Sequence, residues 1–213
     1  MTLTVLLTGF GPFPGAQVNP TTALVRRLAR TRRVSAGEVR CIGHVFATRY
    51  AAVDDELPAL LARHRPDAVV MFGLAARRAY VSIEILARNR ISISFPDASG
   101  GVARRSVIDG NAAPYRHGRA PMRRLLAAAN SARVKARLSR DAGRYVCNYV
   151  YWRALQAAEQ PGGPRLAVFV HVPKLRRDHG RAGRRRHAYS LSDLVRAGDA
   201  IVNAVIAAAR RPH

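Results

Sequence analysis

Three short apolar runs, each closed by glycine or proline, constrain the fold of this chain most strongly. The runs are residues 4–7, 68–72 and 165–173. Apolar runs of this length that show little alternation are typical of strands buried on both faces of a sheet. Segments with helical spacing lie between them, for example residues 50–63. Because strands that alternate with helices pair side by side, the pattern predicts an α/β fold with a mainly parallel sheet.

A single domain that spans residues 1–213 is expected, because the chain is long enough for one full core and shows no repeat or clear linker. No apolar run approaches the roughly 20 residues of a membrane span, and the N-terminal segment is too short and too uncharged for a signal peptide. The two cysteines, Cys41 and Cys147, do not indicate a disulfide framework. A cytoplasmic protein without membrane contact is therefore expected.

The net charge of +23 has two explanations. It is either an electrostatic footprint for a polyanion or the result of a general bias toward arginine and alanine. The arginines are spread over most segments instead of forming one stripe, which favours the bias and makes nucleic acid an unfavoured partner. The densest basic run, residues 174–187, leaves one alternative to catalysis open, which is polyanion binding through this loop.

Three side chains have the chemistry of acyl transfer. Cys147 lies where a glycine-led segment turns into a helix predicted over residues 148–159, and a helix N-terminus favours the nucleophilic thiolate. His171 stands at the end of the third apolar run, where ligand sites of open α/β sheets gather. Glu84 is the one charge in the strand-like segment 79–86, and it needs a partner if it is buried. Together they supply a nucleophile, a base and an orienting group, although each also has an ordinary structural explanation.

Phe10 and Phe13 lie on a loop dense in glycine and proline, residues 9–15. Two rings on such a loop can wall a small apolar pocket, whereas either ring alone is more often part of a core. The histidines are dispersed and no Cys-x-x-Cys pair indicates zinc, and no Gly-x-x-x-x-Gly-Lys loop indicates phosphate binding. No metal and no cofactor are therefore expected.

The order and spacing of several motifs resemble those of the pyroglutamyl peptidase I family, also called pyrrolidone-carboxylate peptidases. The matching segments are Thr8-Gly9-Phe10-Gly11-Pro12-Phe13, Asn19-Pro20, Glu84 with Asn89 behind it, Pro96-Asp97, and residues 142–149 and 169–173. The resemblance covers nearly the whole chain.

The resemblance implies a three-layer α/β/α fold with a central mixed, mostly parallel sheet. It also implies a cysteine exopeptidase, an omega peptidase without cofactor, that removes an N-terminal pyroglutamyl residue from peptides. The catalytic residues would be Cys147, His171 and Glu84. The substrate-binding residues would be Phe10, Phe13, Asn19 and Tyr145. Because the family often forms tetramers, a homo-oligomer, either dimer or tetramer, is expected.

Three positions differ from the residues that are usual in this family. Leu74 stands in place of Gln or Glu, and Ile85 and Ser94 each stand in place of Arg. These differences predict a divergent member with an altered substrate preference or rate. Arg88 and Arg90 are the candidates to supply the missing positive charge.

Overall fold

The computed structural model describes residues 2–33, 39–175 and 189–211, and in this part of the chain strands and helices alternate. The strands are β1 Leu3–Phe10, β2 Val39–Phe46, β3 Ala68–Leu74, β4 Val81–Glu84, β5 Leu86–Arg88, β6 Tyr115–His117, β7 Ala136–Ser139 and β8 Leu166–Val172. The helices are α1 Pro20–Arg33, α2 Tyr50–His64, α3 Met122–Ser131, α4 Val146–Ala158 and α5 Leu191–Ala209.

Six of the strands form one sheet in the order β2-β1-β3-β8-β4-β7. Neighbouring strands run parallel except at β4 and β8, which are antiparallel. Strands β5 and β6 pair separately as an antiparallel ribbon. The predicted mixed, mostly parallel sheet is confirmed.

Helices cover both faces of the six-stranded sheet, because alternate residues of its strands point to opposite sides. Val70 and Phe72 of β3 pack with apolar residues of α1, α3 and α5. Val69 and Met71 of the same strand pack with residues of α2 and α4. The three-layer α/β/α fold is therefore confirmed. Side chains of β3, β8 and β4 that point to the α4 face of the sheet all face the layer formed by α2 and α4.

The prediction of one continuous strand over residues 79–86 is wrong, because the chain forms β4 and then β5 with Ile85 between them. The Ile85 N–H donates to the Ser139 carbonyl at 2.8 Å, whereas its carbonyl accepts from the Gly118 N–H at 2.9 Å. These two bonds lead in different directions, so the chain leaves one sheet and enters the other. The chain after β5 then returns to this second sheet as β6.

Two further boundaries differ from expectation and matter for the site. Strand β1 continues to Phe10, so this ring belongs to the strand and not to the loop after it. Helix α4 begins at Val146, which places Cys147 inside its first turn. In the described part of the chain, no helix combines the length and apolarity that crossing a membrane requires. Most of the basic run, residues 176–187, lies outside the described residues.

Helix α5 begins with a complete capping box. The Ser190 hydroxyl accepts from the Asp193 N–H at 3.2 Å, and the Asp193 carboxylate accepts from the Ser190 N–H at 2.7 Å. The Ser190 hydroxyl also donates to this carboxylate, and these bonds, together with Arg196, lower the pKa of Asp193 to about 2. The cap satisfies backbone groups that the helix leaves unpaired.

We expect Ser190→Ala to lower the free energy of unfolding by about 1 kcal/mol at pH 7, because the cap is lost. The pKa of Asp193 is lowered in the folded state, so its contribution is present above the unfolded value near 4 and disappears as the pH falls from about 4 to about 2. The difference in free energy of unfolding between the wild type and the variant, measured by urea titration, should therefore become smaller as the pH falls through this range. Ser192→Ala, on the exposed side of the same turn, is the control, and equal losses in both variants would contradict the prediction.

Candidate active site

The Glu84 carboxylate has no exposure to solvent and lies at the end of β4. Its Oε1 is 2.8 Å from Nδ1 of His171 and 2.6 Å from a guanidinium nitrogen of Arg78. Burial alone would raise the pKa of this carboxyl group. The hydrogen bond and charge of His171, together with hydrogen bonds from Ser139 and Arg78, outweigh burial and lower it. Glu84 is therefore an ionised carboxylate that holds one nitrogen of the imidazole ring.

His171 belongs to β8 and is 5% exposed. In the pairing of β3 with β8, its partner is Gly73. A Cβ atom at Gly73 would lie only 2.9 Å from Sγ of Cys147 and 2.5 Å from the ring of Phe169. The imidazole also packs against Phe169, with 4.8 Å between ring centroids. The Cys147 sulfur and His171 therefore both lie next to Gly73, where the lack of a side chain leaves room for them.

Two polar side chains of α4 fix the helix that carries Cys147. The Asn148 amide donates to the carbonyls of Arg88 and Arg90, both at 2.8 Å, and accepts from the Arg88 N–H at 2.9 Å. One turn after Cys147, the Tyr151 hydroxyl donates to the Glu84 carbonyl at 2.8 Å. Both side chains are fully buried, so these bonds tie the start of α4 to β4 and β5.

The Cys147 thiol is not activated in the way the sequence indicates. Burial and the negative charge of Glu84 raise its pKa to about 12, and its own backbone N–H lowers it only in part. The helix N-terminus therefore lowers the pKa less than desolvation raises it, and the thiolate expected from the sequence stays a prediction. A thiol that is protonated at neutral pH needs a base, and His171, which pairs with Gly73 next to the sulfur, is the candidate.

Aromatic rings line the approach to this site, but in a different arrangement from the predicted one. Phe10 is only 1% exposed and packs against Phe46, so in this structure it belongs to the core cluster against which Tyr145 and Cys147 pack. Phe13 remains partly exposed, with its ring 6.2 Å from that of Tyr145. Tyr145 also contacts Tyr50 and donates its hydroxyl to the Pro96 carbonyl at 3.0 Å. Phe13, Tyr145 and Tyr50 are all partly exposed and together form an aromatic surface.

Asn19 has a structural task in the loop between β1 and α1. Its amide donates to the Gly11 carbonyl at 3.0 Å, and its oxygen accepts from the Thr21 N–H and hydroxyl at 3.2 and 2.9 Å. It is 5% exposed. These contacts hold the loop that carries Phe13 against the start of α1.

The three divergent positions lie at different depths. Leu74 is the buried last residue of β3, Ile85 joins the two sheets, and Ser94 is exposed. Arg88 donates to the Arg140 carbonyl at 3.3 and 3.4 Å, so its side chain is directed to the loop before α4 and does not bond Glu84. Among the described residues, no group of three or more potential ligands is placed to hold a metal ion.

Comparison with known proteins agrees with the motifs. A family model described as pyroglutamyl peptidase matches residues 3–210. The chain belongs to the pyroglutamyl peptidase family. The pyrrolidone-carboxylate peptidase of Gloeobacter violaceus is 36% identical over 173 residues, which are 80% of this chain and 82% of that protein. The pyrrolidone-carboxylate peptidase of Pyrococcus furiosus is 30% identical over 170 residues, which are 79% of this chain and 80% of that protein.

A solved structure supports the same family membership. The pyrrolidone carboxyl peptidase from Thermococcus litoralis has a TM-score of 0.87 at 26% identity, and the match covers 97% of this chain and 94% of that one. The resemblance proposed from the motifs is confirmed at the level of family and fold.

Sequence reasoning missed Arg78, Asn148 and Tyr151. Arg78 could have been recognised, because a buried Glu84 needs a cation or hydrogen-bond donors. Arg78 precedes Glu84 at an even spacing, and residues at even spacing along a strand share one face. Asn148 and Tyr151 carried no comparable signal, because their partners are backbone carbonyls on distant strands.

Gly73 leads to a prediction about packing. We expect Gly73→Ala to lower the free energy of unfolding by about 1–3 kcal/mol, because the added methyl group overlaps the Phe169 ring and the Cys147 sulfur. Urea unfolding followed by circular dichroism measures the change. Gly11→Ala is the matched control, since the nearest atom to its Cβ would be the Phe46 carbonyl oxygen at 3.6 Å. Losses of the same size in both variants would contradict the role given to Gly73.

Proposed function

We propose that this protein is a cysteine exopeptidase that hydrolyses the amide bond after an N-terminal pyroglutamyl residue. The observation that carries the proposal is that the Cys147 sulfur and His171 both lie next to Gly73, while Nδ1 of His171 is 2.8 Å from the buried Glu84. Membership of the pyroglutamyl peptidase family, whose relatives are named pyrrolidone-carboxylate peptidases, supports the choice of bond and substrate.

In the proposed first step, His171 acts as a general base. Its Nδ1 is held by Glu84, so Nε2 is the nitrogen that accepts the proton of the Cys147 thiol. The sulfur attacks the carbonyl carbon of the pyroglutamyl residue, and the carbonyl oxygen takes the negative charge. Since α4 has no side-chain cap among the described residues, the backbone N–H groups of its first turn are suited to stabilise this oxyanion.

The remaining steps return the enzyme to its starting state. The imidazolium gives its proton to the leaving amine, the carbon–nitrogen bond breaks, and a thioester between Cys147 and the pyroglutamyl group remains. Water then attacks the thioester with His171 as the base again, and the acid product and the thiol are released. Glu84 stabilises the imidazolium in both halves of the reaction.

The lactam ring of the substrate is uncharged, so its recognition needs apolar walls and a few hydrogen bonds. We propose the partly exposed pair Phe13 and Tyr145 as part of this wall, with Phe10 supporting it from below. Asn19 contributes by holding the loop of Phe13, since its amide oxygen and one of its amide hydrogens are engaged by the protein.

Several expectations from the sequence stay predictions. They are the single domain over residues 1–213, the homo-oligomer and the cytoplasmic location. Polyanion binding through the basic run also stays a prediction, because residues 176–187 lie outside the part of the chain that the structure describes.

We expect Cys147→Ala to lower kcat/KM for pyroglutamyl-p-nitroanilide by about 10⁴-fold or more, because the nucleophile is removed. Release of p-nitroaniline measures the rate. Cys41→Ala is the matched control, since Cys41 lies in β2 in the core cluster on the opposite side of the sheet and should leave the rate within about twofold of wild type.

Prolyl-p-nitroanilide tests the choice of substrate, because it has a charged imino group where the pyroglutamyl ring has a lactam. The wild-type protein should prefer the pyroglutamyl compound by about 10³-fold or more. Hydrolysis that survives Cys147→Ala, or the absence of any turnover by the folded wild type, would overturn the proposed function.

A further inference from the structure

Arg78 stands before β4 and reaches two partners at the site. One guanidinium nitrogen donates to Oε1 of Glu84 at 2.6 Å, and the other donates to the Asp141 carbonyl at 2.7 Å. Its side chain is 24% exposed, whereas that of Glu84 is not exposed at all. Arg78 thus joins the buried carboxylate to the loop that leads into α4.

The same carboxylate oxygen serves Arg78 and His171. This sharing matters because His171 has to be neutral before it accepts a proton, and a neutral imidazole supplies no charge to a buried anion. A buried carboxylate without a counter-charge takes up a proton instead. A guanidinium group remains charged at any pH at which proteins are folded, so it neutralises Glu84 independently of the state of His171.

We propose that Arg78 is a positioning residue that keeps Glu84 anionic and aligned with Nδ1 of His171 while the imidazole is neutral. The inference rests on the proposed function, in which His171 is the general base. Arg78 acts through Glu84 and contacts neither the sulfur nor the imidazole by any hydrogen bond among the described residues. As a result, the imidazole of His171 stays neutral and can accept the proton of the Cys147 thiol.

The charged and titratable groups that face Glu84 come from three directions. His171 lies on β8, Cys147 and Tyr151 lie on α4, and Arg78 lies on the segment before β4. Arg78 is the only member of this set that is permanently positive. Without its charge the pKa of Glu84 rises, so the coupled Glu84–His171 pair holds its proton to a higher pH. A pair that still holds this proton has no base to offer to Cys147.

Arg88 provides a matched comparison. It bonds the same loop through the Arg140 carbonyl, and its Nε is 3.8 Å from the Asp141 carboxylate, but it has no bond to Glu84. A purely structural role in holding the loop would therefore be shared by both arginines. An electrostatic role toward Glu84 belongs to Arg78 alone.

The test uses Arg78→Gln, which removes the charge but keeps an amide that can donate, beside Arg88→Gln and Arg78→Lys. The first readout is the NMR titration of the His171 imidazole in the free protein, assigned with His171→Asn, and it needs no turnover. The second is the acidic limb of the kcat/KM profile with pyroglutamyl-p-nitroanilide. In Arg78→Gln, both midpoints should move to higher pH by about 1 unit. The midpoints of Arg88→Gln should match those of the wild type, and those of Arg78→Lys should lie close to the wild-type values, because lysine keeps the positive charge.

Equal midpoints in Arg78→Gln, Arg88→Gln and wild type would overturn the inference, and so would equal shifts in both glutamine variants. Arg78→Met has the same expected shift and replaces Arg78→Gln if the latter does not fold. Failure of the proposed function can be distinguished from failure of this inference. A wild-type protein that does not hydrolyse the substrate still reports on Arg78 through the imidazole titration.

Discussion

A carboxylate without access to water must be held by a cation or by hydrogen-bond donors, and the geometry of the whole site depends on how Glu84 meets this requirement. The antiparallel contact between β4 and β8 is decisive here. Glu84 pairs with Phe169, two residues before His171, so its carboxylate is a diagonal neighbour of the imidazole on the α4 side of the sheet. One reversed strand in a mostly parallel sheet thus brings the anion to the histidine.

The nucleophile reaches this pair because a helix is fixed against the same strands. Asn148 and Tyr151 bond backbone groups of β4 and β5, which sets the height and rotation of α4. Two glycines make the close approach possible. A side chain at Gly73 would overlap the sulfur, and one at Gly118 would overlap the Tyr151 hydroxyl. The position of Cys147 therefore depends on the lack of a side chain at Gly73 and Gly118 as well as on the hydrogen bonds of Asn148 and Tyr151.

The sequence predicts the layers of this fold well, because buried parallel strands and amphipathic helices have strong local patterns. It predicts a continuous strand over residues 79–86 wrongly, since the break at Ile85 depends on Ser139 and Gly118, which are distant in the chain. The trio of Glu84, His171 and Cys147 was recognisable from residue types and motifs. The pKa of the Cys147 thiol could not be predicted in the same way. The local sequence indicates the helix N-terminus, which lowers this pKa, but not the burial, which raises it by more.

The contacts that form the site join residues far apart in the chain, and this affects the order in which folding and function return. Glu84 and His171 are separated by 87 residues, Arg78 and Asp141 by 63, and Arg88 and Asn148 by 60. Contacts over such separations form late, because their loops must close first, whereas single helices form early. The site is therefore complete only when the sheet and α4 are both in place. The thiol site is a natural marker for the last stage of assembly.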